Sequence, residues 1–368
     1  MRTRRIALVV AICGALGVST PALASERQAG DAIPGRYIVM VEPGHDVDDL
    51  TRGQDQQVYD ALNGFAADLD AAQVRALKRS ARVAIVEQDR VVEASAPTDA
   101  WGLDRIDQRA LPLTRTYTYA TTASNVTAYV IDTGISASNG DFGGRASNVY
   151  DAFGGSGQDC NGHGTHVAGT IGGARWGVAK GVQLRGLRVL NCSGSGSTSG
   201  IIAALNWVRQ NAMRPAVVNM SLGGGYSSSL NSATNNLANS GVFVAVAAGN
   251  ESQNACNVSP ASASSAYTTA ASDRSDRRAS FSNYGSCVDA YAPGVSIPSA
   301  WLNGGAATLS GTSTASPHVA GVAALYKGAY GDASSSTVSS WITGSATPDV
   351  ISGNPTGTPN RLLYTAGL

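Results

Sequence analysis

Charge is scarce in this chain of 368 residues: Asp, Glu, Lys and Arg make up 14 %, and 26 basic residues balance 26 acidic ones. A nucleic-acid-binding face needs clustered Lys and Arg, so nucleic acid is excluded as a main partner. Histidine is scarcer still, with four in all, which narrows the search for a base or a metal ligand to four positions. Cysteines number five, and no two of them lie close in sequence, which excludes a cysteine zinc site. Beyond the N-terminus no apolar run is long enough for a transmembrane helix, so no membrane partner is expected.

The one long apolar run stands at the start. Met1-Arg2-Thr3-Arg4-Arg5 is basic, residues 6–18 are apolar but short, and Ala22-Leu23-Ala24 closes the run with small residues at cleavage-site spacing. That order reads as a secretory signal peptide over residues 1–24, and it predicts a secreted, extracellular protein. The Arg4-Arg5 pair leaves general and twin-arginine export both open. Cys13 leaves with the signal, and Cys160, Cys192, Cys256 and Cys287 remain. An even number in an exported chain implies two disulfides, with three possible pairings. Pairing of neighbours, Cys160 with Cys192 and Cys256 with Cys287, is the expectation, each bond closing a loop of about 32 residues and contributing roughly 3 to 4 kcal/mol.

What remains divides in two. Residues 25–95 read as a small α+β unit. Residues 33–41 form a strand led by a turn, and residues 58–67 a second strand with its approach. Asp70 N-caps a helix running to Leu77, and residues 83–87 and 90–93 are β-rich. Residues 25–93 hold 13 acids and 8 bases, whereas residues 94–368 hold 13 acids and 15 bases. The two parts therefore carry opposite excess charge, which favours docking. In residues 96–368 apolar strands (125–131, 187–190, 216–221, 242–248) alternate with helical stretches (162–171, 201–210). That alternation predicts an α/β fold, a doubly wound, mostly parallel sheet with helices on both faces. Functional residues then belong at strand C-terminal ends, where Asp132, Ser221 and Asn250 stand.

Gly311-Thr312-Ser313-Thr314-Ala315-Ser316-Pro317-His318-Val319-Ala320-Gly321 reads as a turn opening a buried helix, with Pro317 in its first turn. Ser313 then lies where unpaired N–H groups and the positive helix end converge, a good place for a nucleophilic alcohol. A base is needed. His45 lies in the first unit, and His318 follows Ser313 in the same helix and points away. His163 and His166 remain, in Asn161-Gly162-His163-Gly164-Thr165-His166, and Val130-Ile131-Asp132-Thr133-Gly134 offers a carboxylate at a strand end. The order Asp, His, Ser excludes an α/β-hydrolase elbow, which places its His after the Ser. The His163/His166 pair also invites a metal reading, but it lacks the Glu of a His-Glu-x-x-His helix.

These three blocks, in this order, resemble those of the subtilisin-like serine proteases. Trp101-Gly102-Leu103-Asp104-Arg105-Ile106-Asp107-Gln108-Arg109 is similar to the mature start of the aqualysin and proteinase K branch, and Pro34-Gly35-Arg36-Tyr37-Ile38-Val39 and Leu62-Asn63-Gly64-Phe65-Ala66-Ala67 to the family's inhibitory propeptides. The likeness runs from about residue 33 to residue 364. It implies a monomeric endopeptidase acting on polypeptides through Ser313, His163 and Asp132, with Asn250 completing an oxyanion hole. The propeptide would fold and inhibit its own enzyme and be cut off within Glu93-Ala94-Ser95-Ala96-Pro97. Ser221, Leu222 and Gly223 would form one wall of the pocket before the scissile bond and Ala248 and Gly249 the other, suiting apolar or aromatic side chains. Ser193, Gly194 and Ser195 would be the edge that pairs with substrate. Structural calcium is implied at Asp289 with the Ser264 and Ala266 carbonyls, and at Asp104, Asp107 and Gln108, where Thr114 replaces the next expected acid. Two further departures stand out. Thr314 replaces a methionine beside the nucleophile, which removes an oxidisable group and loosens packing, and Thr268-Thr269-Ala270-Ala271 replaces Thr-Val-Gly-Ala. A non-catalytic, protease-like binding protein and a metal-dependent hydrolase are the competing classes.

Overall fold

The computed structural model describes residues 32–47, 50, 56–94 and 101–368. The expected signal peptide and positions 95–97 of the expected junction lie outside the described residues.

The first unit contains strands β1 (Ala32–Val41), β2 (Gln56–Tyr59), β3 (Gly64–Asp68) and β4 (Val83–Ala94) and helix α1 (Ala71–Leu77). Residues 58–67 are thus a hairpin, not one strand, because Asn63 turns at φ 48° and β2 folds back on β3. Asp70 caps α1 as expected, accepting from Ala72 N and Gln73 N while Gln73 reaches back to Asp70 N. The two β-rich stretches after it are one strand, β4, which pairs antiparallel with β1.

The second unit holds α2 (Gly102–Ile106), β5 (Thr127–Asp132), β6 (Ala146–Asp151), α3 (His163–Gly172), β7 (Gln183–Arg188), β8 (Ser195–Ser197), α4 (Thr198–Asn211), β9 (Ala216–Met220), β10 (Leu222–Gly225) and α5 (Ser228–Asn239). It continues through β11 (Phe243–Ala247), β12 (Val258–Ser259), β13 (Tyr267–Ser272), β14 (Ala290–Pro293), β15 (Ile297–Ala300), β16 (Ala306–Leu309), α6 (Thr312–Tyr330), α7 (Ser335–Ser345), β17 (Thr347–Pro348) and β18 (Arg361–Leu362). Its main sheet runs β17-β18-β14-β13-β11-β9-β5-β7-β6, parallel throughout except for β17 against β18.

Strand alternation explains the two helical layers. On β5, Ala128 and Val130 point into the core shared with Val167 and Ile171 of α3 and Val319 and Val322 of α6. Tyr129 and Ile131 point the other way, against Ile201 and Leu205 of α4 and Leu230 and Leu237 of α5. Apolar residues on both faces are what a doubly wound sheet requires. The disulfides are Cys160–Cys192 and Cys256–Cys287, the neighbour pairing.

Candidate active site

Asp132 is the last residue of β5 and fully buried. Its Oδ1 accepts from Thr133 N at 2.7 Å, and His163 Nδ1 lies 2.8 Å from Oδ1 and 2.9 Å from Oδ2. The ring is therefore gripped at Nδ1, and with Nδ1–H donating to the carboxylate the Nε2 lone pair is the accepting end. Close approach is possible because the residue after His163 lacks a side chain. A Cβ on Gly164 would meet Gly134 O at 2.2 Å and Asp132 Cβ at 3.2 Å. Gly162 turns into the helix at φ 110° with the Trp301 ring against it.

His166, one turn on in α3, has a different fate. It is buried, its Nε2 contacts Ile297 O at 3.0 Å, and desolvation pushes its pKa down to about 3. A ring held neutral in the core is a packing group. His318 is likewise buried, with Nδ1 2.8 Å from Thr314 O and a pKa lowered by burial to about 4.

Ser313 is the second residue of α6. Pro317 lies not in the first turn but deeper inside this helix. Having no N–H, it cannot bond the carbonyl four residues back, which is that of Ser313. Ser221 supplies the missing donor, its Oγ reaching Ser313 O at 2.6 Å. The proline thereby ties Ser221 to the candidate nucleophile. Asn250, just beyond β11, accepts at Oδ1 from Thr312 N (2.8 Å) and Thr312 Oγ1 (3.1 Å). Those bonds fix the amide orientation and leave Nδ2 as its donor end. Gly249 N donates to Thr312 Oγ1 at 3.0 Å.

The end of β4 lies between two strands of the second unit. Val91, Val92 and Glu93 pair with Ser197, Gly196 and Ser195 of β8, and Glu93 and Ala94 with Gly223 and Leu222 of β10. The edge that pairs with β4 overlaps the expected substrate edge in part. Ser195 belongs to it, whereas Ser193 and Gly194 form the turn before it, closed by Gly194 N to Asn191 O at 3.0 Å. Ala248 O, just beyond β11, accepts from Asn283 Nδ2 at 2.9 Å. The Cys160–Cys192 bond joins the loop leading to His163 with the loop leading to β8.

Upstream, β4 grips two helix N-termini. Glu87 accepts from Ser227 Oγ, from Ser228 N and Oγ (both 2.9 Å) and from Ser229 N (3.1 Å) at the start of α5. Buried Asp89 accepts from Ser199 N (3.0 Å) and Ser199 Oγ at the start of α4. Anions at helix N-termini are favoured by the dipole, although burial raises the Asp89 pKa. Sequence reasoning missed both roles and a third acid, Asp159, which is buried beside the start of α3. Its signal was an Asp shortly before a glycine-led helix start.

The two expected cation sites differ. Ser264, Ala266 and Asp289 line one cavity of about 360 Å³. Asp289 accepts from Thr268 N at 2.7 Å, and desolvation pushes its carboxyl up to about 6. A carboxylate destabilised by burial and lining one cavity with Ser264 and Ala266 fits a hard cation. The second set does not fit one. Asp104 Oδ1 accepts from Thr114 N and Thr114 Oγ1, both at 3.0 Å, and Oδ2 from Arg115 N at 2.6 Å. Asp107 accepts from Thr118 N at 2.7 Å, and Gln108 Nε2 donates to Ala110 O and Pro112 O. Thr114, in the place of the expected acid, closes the loop on itself.

Comparison with known proteins agrees with this architecture. The Subtilase family profile matches residues 123–365, and that of Peptidase inhibitor I9 matches residues 37–95. An extracellular serine proteinase of Thermus sp. (strain Rt41A) is 47 % identical over 97 % of both chains. Proteinase R of Parengyodontium album is 45 % identical over 94 % of this chain and 92 % of its own. The crystal structure of a cold-adapted subtilisin-like serine proteinase superposes with a TM-score of 0.71 at 52 % identity, covering 72 % of this chain and 97 % of that one. No helix among the described residues is long and apolar enough to cross a membrane. The chain belongs to the subtilase family, as a secreted subtilisin-like serine proteinase that carries its own I9-type propeptide.

Proposed function

We propose that the chain is an endopeptidase of broad specificity that attacks peptide carbonyls with Ser313 Oγ and matures by cutting its own precursor. The observation that carries this reading is the tail of β4, held as a strand between β8 and β10 and reaching Leu222, the neighbour of Ser221, whose hydroxyl bonds the Ser313 carbonyl. A substrate strand follows the same path.

In this reading His163 Nε2 takes the Ser313 proton as Oγ bonds to the carbonyl carbon. Asp132, held to Nδ1, fixes the tautomer and stabilises the imidazolium. Asn250 Nδ2 and the Ser313 backbone N–H stabilise the oxyanion. Removing one such donor costs about 2.7 to 4 kcal/mol in the transition state. The C–N bond then breaks, the amine leaves with the His163 proton, and water repeats the cycle on the acyl-enzyme. The glycines and alanines of the Ser221-Leu222-Gly223 and Ala248-Gly249 walls carry no charge, which suits an apolar or aromatic side chain before the scissile bond. The first unit, residues 25–95, is the removable inhibitor and residues 96–368 the monomeric enzyme. Subtilases commonly bind structural calcium, and Asp289 with the Ser264 and Ala266 carbonyls would hold it here, supplying charge compensation to the loop before β14 and no chemistry.

Mass spectrometry of the secreted protein, wild type against Ser313→Ala, tests the reading. The expected result is a wild-type chain beginning between residues 94 and 97 and a mutant that keeps residue 25 onward. Equal processing of both would assign the cut to another protease. Retention of the propeptide by both would favour a binding protein.

A further inference from the structure

Asp159 has no part in that mechanism, yet it is 4 % exposed and accepts five hydrogen bonds. Oδ1 accepts from Thr133 Oγ1, Asn161 N and Gly162 N, each at 2.9 Å. Oδ2 accepts from Thr165 N at 3.0 Å and Thr165 Oγ1 at 2.5 Å. Thr133 Oγ1, while donating to Asp159, accepts from Gly164 N at 2.9 Å. These partners are not scattered. Thr133 follows Asp132 directly, and Gly162 and Gly164 flank His163. The carboxylate therefore binds the backbone on both sides of the imidazole to the strand end that carries its partner acid.

We propose that Asp159 and Thr133 are positioning residues that set where His163 stands relative to Asp132 and Ser313. The proposal rests on the reading of His163 as the general base. His163 is the first residue of α3, where helix N–H groups have no intrahelical acceptor and the backbone is free to fray. Glycines on both sides add freedom, since neither offers a side chain to pack. Charge-assisted bonds from one buried carboxylate remove that freedom. The bonds that make up the clasp join Asp159 and Thr133 to residues 161–165, which lie outside β8, β10 and the Asn250–Thr312 pair. Loosening it consequently displaces the base and leaves substrate binding intact.

The test is steady-state kinetics of the purified mature enzyme on a chromogenic peptide, together with the first-order rate of precursor self-cleavage. Thr133→Val keeps the shape and removes the hydroxyl; Thr133→Ser keeps the hydroxyl. Thr133→Val is expected to lose about 10- to 100-fold in kcat, the scale of a 1 Å misplacement, with KM within about twofold. Self-cleavage, which has no KM, is expected to slow by the same factor, and Thr133→Ser to recover wild-type kcat within about threefold. Asp159→Asn, which turns a donor toward Thr165 N–H, is expected to lose kcat in the same sense and serves if Thr133→Val does not fold. Unchanged kcat in Thr133→Val would overturn the proposal, as would an equal loss in Thr133→Ser or a loss confined to KM. A wild type that neither hydrolyses peptide nor reacts with a fluorophosphonate would instead overturn the protease reading itself, and the proposal with it.

Discussion

The two units of this chain are held together in different ways. The enzyme unit has its own cores on both faces of the main sheet, with strands and helices contributing dozens of fully buried side chains. The propeptide has one small core of its own, Val39, Val41, Val47, Phe65, Ala67, Leu69 and Val74, between its sheet and α1. The opposite face of that sheet, with Ile38, Tyr59, Leu62 and Ala66, is buried against the α4–α5 layer of the enzyme. Tyr59 Oη also donates to Ser199 O at 2.8 Å. The propeptide thus completes its fold on its partner, and the enzyme gains from it filled helix N-termini and an occupied cleft. A small domain that buries one face alone is marginal.

The sharpest way to break this contrast is to separate the units. Residues 25–95 expressed alone are expected to show no cooperative thermal transition by circular dichroism, and to gain one on mixing with the Ser313→Ala enzyme unit. A cooperative transition of the isolated segment would refute the idea of a borrowed core. Next in size come the two gripping acids. Glu87 accepts four bonds at the start of α5, and charge-assisted bonds contribute about 1.5 to 3 kcal/mol. Glu87→Ala is therefore expected to weaken propeptide inhibition by roughly 10- to 100-fold. Asp89→Asn is expected to cost less, because burial already disfavours its charge. An inhibition constant measured for each separated propeptide decides the order, and a larger loss for Asp89→Asn would reverse it.

A smaller effect, confined to the enzyme unit, is expected from added calcium. The Asp289 carboxyl sits at about 6 in the folded protein against 3.8 for the ordinary group. A raised pKa means the metal-free fold favours the proton. Its contribution to stability is full below pH 3.8 and is lost as pH rises through about 6. A bound cation removes that loss by compensating the charge, so protons and calcium compete. The calcium-induced rise in Tm is accordingly expected to be several degrees at about pH 8 and much smaller at about pH 5. Asp289→Asn is expected to abolish the pH dependence, and an equal rise at both pH values in the wild type would exclude Asp289 as the ligand.

The contrast between the units also decides what was legible in the sequence. Asp132, His163 and Ser313 stood out because each lies in a local pattern of strand end, glycine turn or helix start. The helical layers were legible because the strands are apolar on both faces. Glu87 and Asp89 were not, since their partners lie in other elements and nothing in a short window distinguishes a gripping acid from a solvated one, whereas Asp159 takes four of its five bonds from residues 161–165 and had a local signal that went unread. The polar residues Gln88 and Asp89 divided β4 into two pieces on paper for the same reason: Asp89 is fully buried, and its partner Ser199 lies more than a hundred residues away. Pro317 misled in the opposite sense. Its place in the helix depends on a donor from Ser221, which no local reading supplies.

The smallest predicted effect concerns Thr314, in the place of an expected methionine. The threonine is fully buried, and its one hydroxyl proton is shared between Gly311 O at 3.0 Å and Gly294 O at 3.3 Å. The expected loosening behind Ser313 is thus offset by a hydroxyl that bonds the helix's own N-cap and reaches the segment after β14. Both methionines of the enzyme unit lie elsewhere in the sequence. Met220 is fully buried in β9, and Met213 is 52 % exposed. Peroxide is therefore expected to add one oxygen, at Met213, with no loss of activity. Thr314→Met introduces a thioether beside Ser313, and it is expected to lose activity in peroxide in step with a second added oxygen. Peptide mapping against residual activity separates the two events. Inactivation of the wild type in step with Met213 oxidation would show that this exposed residue matters to the site. Inactivation in step with Met220 would show that the strand ending beside Ser221 opens far enough to admit peroxide.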